Sequence, residues 1–181
     1  MSNAYEKLSN LRPFEIGQLA WDTEDIDILK LLATDFTISD LGQDQQLEIL
    51  VEHNANYEPV GKVLDLLVPN IRAEYTLMGV LEHPYCTPPI AQLVWDNFIE
   101  NIDLYREDNS TKWEEVLIDL SKSPHITGDI PFDIFKWVRD ANKAPTDLYK
   151  KLQIQRNLYN YHKAQLPDFA VAVIKTTVPG I

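Results

Sequence analysis

The chain of 181 residues contains one cysteine, Cys86, and only six glycines. A single cysteine excludes an intramolecular disulfide framework and any cluster of cysteine ligands. No glycine-rich phosphate-binding loop occurs in the sequence. No run of eighteen apolar residues occurs either, so no membrane-spanning helix is expected. The N-terminal residues lack the charged-then-apolar layout of a signal peptide, and a cytoplasmic setting is the expectation.

Positive charge is scarce, with 16 Lys and Arg against 28 Asp and Glu, a net charge of −12. Residues 1–140 carry −16 and residues 141–181 carry +4. An acidic surface attracts basic partners and repels nucleic-acid backbones, so we expect a protein partner with basic character rather than nucleic acid. A simpler alternative is that the acidity only keeps the protein soluble. The basic C-terminal segment could equally pack on the acidic body.

A degenerate sequence repeat with a period of about thirty residues runs along the chain. Its clearest copies are residues 51–60 and 81–90, in which His53 and His83, and likewise Pro59 and Pro89, are thirty positions apart. Each copy is a short apolar helix, a polar turn and the start of a second apolar helix. A period of this length is typical of stacked helical units that share a core with their neighbours.

Four such units are predicted, with apolar residues spaced three and four apart as on a helix face. Pro69, Pro88 and Pro131 stand where helices would begin, since proline is tolerated in a first turn. No segment of residues 5–140 shows the alternating polarity of a strand. The expected fold class is therefore all-α, a solenoid of about four helix pairs over residues 5–144.

The C-terminal part, residues 145–181, departs from the repeat. Thr146 and Asp147 can cap a helix that runs to about His162. The apolar run 169–174 that follows is β-prone, and we expect it to dock on the last repeat as a cap because a terminal repeat must cover its core face. A free tail that binds a partner is the alternative.

The turn around His83 resembles a known family. His83-Pro84, then Pro88-Pro89-Ile90, then Leu93 are similar to the variant leucine-rich repeat, in which a short and a longer helix alternate around such a turn. Coverage extends over about residues 14–140, while the repeat length of thirty or more leaves general HEAT- or armadillo-like helical pairs open. The resemblance implies a right-handed superhelix without enzymatic activity. The iron–sulfur domain of some members cannot be carried over to a chain with Cys86 alone.

No catalytic motif is present, and we expect no catalytic residue, no cofactor and no metal site. Cys86 and His83 are three positions apart, but a lone cysteine in a turn is more typical of a small buried residue than of a nucleophile. Glu52, His53, Glu82 and His83 could form a ridge of metal ligands across neighbouring units. The favoured interpretation is that each histidine closes its short helix, where unpaired carbonyl groups accept from it.

Trp21 is the first of six candidate partner-contact residues. The equivalent positions of the other units carry Glu52, Glu82 and Lys122, so a tryptophan there is either covered by Leu8 and Leu11 or contacts a partner.

The other five candidates lie outside the repeat pattern. Tyr105 and Arg106 fall in an extra segment of ten residues, 101–110, which we expect to be a surface loop, with an extended helix end as the alternative. Lys150, Arg156 and Tyr161 belong to a basic and aromatic helix that could face single-stranded nucleic acid, an acidic protein or the body of this protein.

The leading hypothesis is a non-enzymatic protein–protein interaction or scaffold module with an acidic helical surface. One alternative is a small enzyme or a ligand or metal binder that uses a groove between units. Another is an acidic regulator that blocks a nucleic-acid-binding partner.

Overall fold

The protein is described by a computed structural model that covers residues 3–107 and 112–181. Those residues form α-helices, one π-helical turn and two 3₁₀ turns, and they contain no strand. The all-α fold class expected from the apolar spacing is thus confirmed. None of the described helices is both long and apolar enough to cross a membrane.

The chain separates into two compact units, Met1–Asn101 (unit 1) and Ile102–Ile181 (unit 2). The repeat pattern predicts a different division, into residues 5–144 and 145–181. Each unit is described below by itself.

Unit 1 consists of short helices joined by tight turns. They are α1 (Asn3–Ser9), α2 (Pro13–Leu19), α3 (Ile26–Thr34), α4 (Gln43–Glu48), a π-helical turn (Ile49–His53), α5 (Tyr57–Gly61), α6 (Leu64–Leu67), a 3₁₀ turn (Val68–Asn70), α7 (Glu74–Glu82) and α8 (Pro88–Glu100).

The core of unit 1 forms around α3. The side chain of Asp25 accepts hydrogen bonds from the amides of Asp27 and Ile28 and so caps the helix N-terminus. Leu29, Leu32 and Ala33 are completely buried, and α3 contacts α1, α5 and α6. The three-and-four spacing of these apolar residues therefore places one face of α3 in the core.

Amide side chains tie together segments of unit 1 that are about thirty residues apart. In each tie, the side-chain NH₂ of an asparagine donates to a carbonyl group at the end of an earlier helix. The pairs are Asn54 to Ala20 (2.7 Å), Asn70 to Ala33 (3.3 Å) and Asn97 to Val68 (2.8 Å). These bonds reach carbonyl groups at helix ends, where backbone acceptors commonly lack an intrahelical partner; the Val68 carbonyl also accepts from the amide of Ile71 at 3.2 Å.

Helix starts in both units follow the proline signals. Pro88 is the first residue of α8, and Pro131 lies in the first turn of α11 (Ile130–Arg139). Pro69 lies in the 3₁₀ turn. Thr87 occupies the N-cap position of α8, although its side chain makes no capping hydrogen bond.

Unit 2 contains α11 and four further α-helices. These are α9 (Ile102–Glu107), α10 (Lys112–Lys122), α12 (Leu148–His162), which continues into a 3₁₀ turn (Lys163–Gln165), and α13 (Asp168–Thr177). The longest of them, α12, packs against α10 and α11 and buries Ile154 and Leu158. Its start and end match the prediction, and Asp147 caps it by accepting from the amide of Tyr149 at 2.7 Å.

The apolar run 169–174 is helical, which corrects the β-prone interpretation. Pro167 precedes α13 as its N-cap, and Ala170 and Ile174, four residues apart, are buried. Phe169 makes edge contacts with the rings of Phe132 and Phe135 at 5.7 and 6.3 Å. Burial of one helical face outweighs the β-preference of valine and isoleucine in this segment.

Most of the described part of the extra segment 101–110 is helical, and Asn101 lies in a turn. Residues Ile102–Glu107 form α9, so the loop expected there is not seen in this part. Residues 108–111 lie outside the described residues.

Candidate functional site

The candidate site in unit 1 begins where α4 changes into the π-helical turn. The amide of Asn54 donates to the carbonyl oxygen of Ile49, five residues earlier, at 2.8 Å. In an α-helix a residue five positions after Glu48 would be turned about 140° away from it. The wider π-turn instead brings residues four and five positions later beside the starting residue. Turns of this kind are frequent at functional sites.

Glu48, Glu52 and His53 come together on this turn. One ligand atom of each lies within 4.8 Å of the others, and Nε2 of His53 is 3.7 Å from Oε1 of Glu48. Glu48 is half-buried, while Glu52 and His53 are exposed. Among the described residues this is the one set of three His, Cys, Asp or Glu donors that approach so closely.

Neighbouring aromatic residues hold two of these side chains. The hydroxyl of Tyr75 donates to Oε2 of Glu48 at 3.1 Å. Burial and the nearby Glu48 carboxylate raise the pKa of Tyr75 to about 12, so the hydroxyl stays a donor at neutral pH. The rings of Trp21 and His53 stack with centroids 5.1 Å apart and an interplanar angle of 21°. Both contacts restrict rotation of the donor side chain.

Gly79 on α7 allows the close approach of the π-turn. A Cβ atom at this position would lie 2.9 Å from Cγ of Glu52 and 3.1 Å from Cγ1 of Val51. Real Cβ atoms essentially never come within 3.0 Å of another heavy atom. The missing side chain therefore lets α7 pack against the turn directly beneath Glu52.

An open groove of about 500 Å³, which we call the Glu52–Glu82 groove, runs between the π-turn and α7. It is lined by Val51, Glu52, Tyr57, Tyr75, Met78, Gly79, Glu82, His83 and Pro84. Partial burial, followed by the charges of Glu48 and Glu82, raises the pKa of Glu52, with His53 acting in the opposite direction. Within the described part of the chain, no Lys or Arg forms an ion pair with Glu52 or Glu82. The groove thus has net negative potential and aromatic walls.

His83 in the groove wall is 4% exposed. Its Nδ1 accepts a hydrogen bond from the amide of Tyr85 at 3.2 Å, and Nε2 has no hydrogen-bond partner among the described residues. Burial lowers the pKa of His83, so its ring is neutral at pH 7. Because Nδ1 accepts, the proton of the neutral ring lies on Nε2, which is therefore a buried hydrogen-bond donor without an acceptor among the described residues.

A second concavity of about 300 Å³, which we call the Trp21 groove, lies on the same unit. Its lining residues are Pro13, Phe14, Gly17, Gln18, Trp21, Asp40, Leu41, Gln45 and Ile49. Trp21 is 49% exposed and Phe14 is 47% exposed. Leu8 and Leu11, which were expected to cover Trp21, line a separate pocket with Tyr5 and Ile16. Trp21 therefore keeps half of its surface open.

The two candidates on α9 are engaged within unit 2. Tyr105 is 2% exposed and belongs to the core, which corrects its assignment to a surface loop. The guanidinium of Arg106 lies 4.8 Å from the Trp113 ring centroid and donates to the carbonyl oxygen of Lys143 at 2.7 Å.

The three candidates on α12 differ in exposure. Lys150 is largely enclosed and forms ion pairs with Glu114 (3.2 Å) and Glu115 (2.8 Å). Arg156 is exposed and donates to the carbonyl oxygen of Pro179 at 3.0 Å. Tyr161 is 62% exposed. Lys150 thus faces acidic residues of the protein itself, which is one of the alternatives considered for this helix, while Tyr161 remains exposed.

Cys86 is a buried thiol. It is 4% exposed, and burial raises its pKa to about 11. A protonated, enclosed thiol is a poor nucleophile.

The sequence pattern paired Glu52 and His53 with Glu82 and His83, but it did not include Glu48. Residues at positions i, i+4 and i+5 share one helix face only where the helix locally widens into a π-turn. The hydrophobic spacing of the sequence does not indicate such a turn, so it does not point to Glu48. No protein-family model, curated protein or solved structure matches this chain.

Proposed function

We propose that this protein is a non-enzymatic interaction module that binds a basic segment of a protein partner through unit 1. The observation that carries the proposal is the distribution of charge. Unit 1 contains 17 Asp and Glu against 5 Lys and Arg, whereas unit 2 contains 11 of each. The whole net charge of −12 therefore belongs to unit 1, and a cationic partner would be drawn to that unit.

The Glu52–Glu82 groove suits a lysine or arginine side chain. Its two carboxylates have no Lys or Arg partner within the described residues, and Tyr57 and Tyr75 form aromatic walls. A cation placed there gains both charge-assisted hydrogen bonds and contact with a ring face. Partial burial, followed by the like charges of Glu48 and Glu82, raises the pKa of Glu52, so an incoming cation would also relieve the repulsion among these carboxylates.

The Trp21 groove supplies an apolar anchor on the same unit. Trp21 and Phe14 are exposed large hydrophobic residues, and Asp40 lies at the same groove. Tryptophan is enriched among the residues that dominate binding energy at interfaces. We infer that a partner segment with both basic and apolar side chains is preferred over a purely basic one.

The asparagine ties support the proposed helical-repeat arrangement. The bonded residues are separated by 34, 37 and 29 positions, close to the thirty-residue period of the sequence. The solenoid of about four helix pairs, the likeness to variant leucine-rich or HEAT-like repeats and the cytoplasmic setting stay predictions.

Fluorescence anisotropy with defined peptides tests the proposal. The probe is a fluorescein-labelled peptide of alternating arginine and leucine, with a glutamate-for-arginine peptide as its charge-reversed control. We expect the full-length protein to bind only the basic peptide. Binding should be tighter in about 50 mM than in about 300 mM NaCl, since the electrostatic screening length differs roughly twofold to threefold between these salt concentrations. The Glu52→Gln/Glu82→Gln variant is expected to bind roughly tenfold more weakly, a loss of about 1.4 kcal/mol.

A matched double variant separates the groove from the general field. Glu24→Gln/Glu100→Gln removes the same charge from exposed positions outside the groove lining. We expect it to change affinity by less than about twofold, since exposed charges at a distance are screened. Equal losses in the two double variants, or binding of both peptides alike, would contradict the proposed site.

A further inference from the structure

Two oxygen donors and one nitrogen donor meet on the π-turn, and one of them, Glu52, also lines the Glu52–Glu82 groove. Carboxylate oxygens and an imidazole nitrogen together suit divalent first-row transition metals, whereas Mg²⁺ and Ca²⁺ prefer oxygen ligands alone. With metal–ligand bonds of about 2.0–2.2 Å, the donors of one ion lie about 3–3.5 Å apart. The Glu48–His53 separation of 3.7 Å is already close to this value.

The largest donor separation, up to 4.8 Å, closes through small side-chain movements. Glu52 is exposed and makes no ion pair with a described Lys or Arg, so its carboxylate rotates without breaking a bond of that kind. Glu48 and His53 are held by Tyr75 and Trp21 at 3.1 Å and 5.1 Å, respectively. A metal site commonly has such supporting contacts, which orient the ligands and tune their basicity.

A second and independent feature adjoins these donors. His83 lines the groove that also contains Glu52, is 4% exposed, and has Nε2 without a partner among the described residues. Because Nδ1 accepts from the amide of Tyr85, Nε2 carries the proton of the neutral ring and is a hydrogen-bond donor without an acceptor. A buried polar atom without a partner is costly, and a bound ligand would remove that cost.

We propose that Glu48, Glu52 and His53 form a binding site for one divalent transition-metal cation, represented by Zn²⁺. Three side chains on one turn leave coordination positions open for water. The site goes beyond the protein-interaction function and does not require it. Both features use Glu52, so Zn²⁺ and a basic peptide would compete for that carboxylate.

Isothermal titration of the full-length protein with Zn²⁺ is the direct test. We expect one ion per chain, with Mg²⁺ at the same concentration giving no comparable heat. Glu52→Gln and His53→Gln should each weaken Zn²⁺ binding by roughly tenfold or more, because each removes one of few ligands. Glu100→Gln and His125→Gln, which replace residues of the same types outside the cluster, should leave affinity within about twofold of the starting protein.

Tyr75→Phe and Trp21 provide readouts that do not depend on removing a ligand. Tyr75→Phe keeps all three donors and removes only the hydrogen bond to Glu48, and we expect roughly tenfold weaker binding. Bound Co²⁺ should quench the fluorescence of Trp21, whose ring is stacked on His53, and the quenching should be absent from Trp21→Phe.

The proposal is overturned by Zn²⁺ binding that is unchanged in both Glu52→Gln and His53→Gln, by equal losses in the two control variants, or by the absence of Zn²⁺ binding. Circular dichroism melts of every variant verify that each chain is folded in the titration. A protein that binds Zn²⁺ as expected but not the basic peptide would refute the interaction function while supporting the metal site, and the reverse result would do the opposite.

Discussion

Unit 2 balances its charges with 11 Asp and Glu against 11 Lys and Arg, whereas unit 1 has 17 Asp and Glu against 5 Lys and Arg. In unit 2, Lys150 bridges Glu114 and Glu115, and Arg106 and Lys143 lie over the rings of Trp113 and Trp137. In unit 1, ion pairs join Lys7 to Asp25, Arg12 to Glu15 and Lys62 to Glu58. Cations in unit 2 therefore stabilise its own packing. The excess carboxylates of unit 1 remain available to a cation from outside.

The units also differ in how they satisfy polar groups in the interior. Unit 1 uses neutral amides such as Asn54 and Asn97, which donate to backbone carbonyl groups. Unit 2 places a carboxylate, Glu114, at 1% exposure next to a lysine. A buried ion pair becomes strongly destabilising when one partner is lost, while a neutral amide leaves only unpaired dipoles. This difference predicts an order of mutational effects.

The largest effect is expected for Lys150→Met in unit 2. The substitution keeps most of the side-chain volume but leaves the buried Glu114 carboxylate without its cation. We expect a loss of about 3 kcal/mol in the free energy of unfolding, measured by urea titration. The double variant Lys150→Met/Glu114→Gln should be more stable than Lys150→Met alone. A single variant within about 1 kcal/mol of the starting protein would show that the pair is not critical.

An intermediate effect is expected for Asn54→Ala in unit 1. Asn54 is 1% exposed, its NH₂ group donates to the Ala20 carbonyl, and its Oδ1 accepts from the Asn56 amide at 2.8 Å. Loss of both bonds should cost about 2 kcal/mol in the same titration. Asn10→Ala, at an exposed asparagine that bonds only within its own segment, is the control and should cost less than about 0.5 kcal/mol. A smaller loss of unfolding free energy for Asn54→Ala than for Asn10→Ala would contradict the stabilising role of the asparagine ties.

The smallest effect, of opposite sign, is expected for Glu52→Gln. The pKa of Glu52 is raised above 4.5 in the folded protein by partial burial and by Glu48, so the folded state favours the protonated form. This contribution to stability is present below pH 4.5 and is lost as the pH rises through the folded-state pKa. At pH 7 the charged form is therefore unfavourable, and glutamine should stabilise the protein.

Solvent screening keeps the gain from Glu52→Gln below about 0.5 kcal/mol, which is best followed as a change in melting temperature between pH 4 and pH 7. The difference from the starting protein should shrink as the pH falls below 4.5, because the carboxyl then becomes protonated in both the folded and the unfolded state. Glu100→Gln serves as the control. A destabilising effect of Glu52→Gln at pH 7 would contradict this prediction, because it would show that the charged carboxylate makes a favourable contact in the folded protein.

The sequence was informative where a local rule governs the structure. Pro88, Pro131 and Asp147 each mark a helix start because their backbone or side-chain preference acts within one turn. The β-prone interpretation of residues 169–174 is wrong because the secondary structure of a valine-rich segment depends on its packing partners. Here those partners are the phenylalanines of α11. The burial of Tyr105 likewise depends on neighbours that are distant in the chain.

Trp21 and Glu48 show the same limit at the candidate site. The repeat alignment singled out Trp21 because its counterparts are charged, and the structure places it beside His53. The alignment could not select Glu48, because only the i→i+5 hydrogen bond at Ile49 brings it next to His53. The turn that contains this bond packs closely on α7 at Gly79, a residue that is distant in the sequence.

The three donors of the π-turn could also be presented by an ordinary α-helix with a slightly different residue spacing. If one residue were removed between Glu48 and Glu52, the three side chains would stand at i, i+3 and i+4, which share one face of an ordinary α-helix. The pattern Glu-x-x-Glu-His on a regular helix would therefore present the same three donors without a π-turn. In the natural sequence, the additional residue lets Ile49, Leu50 and Val51 all be buried in succession while Glu52 and His53 stay at the surface.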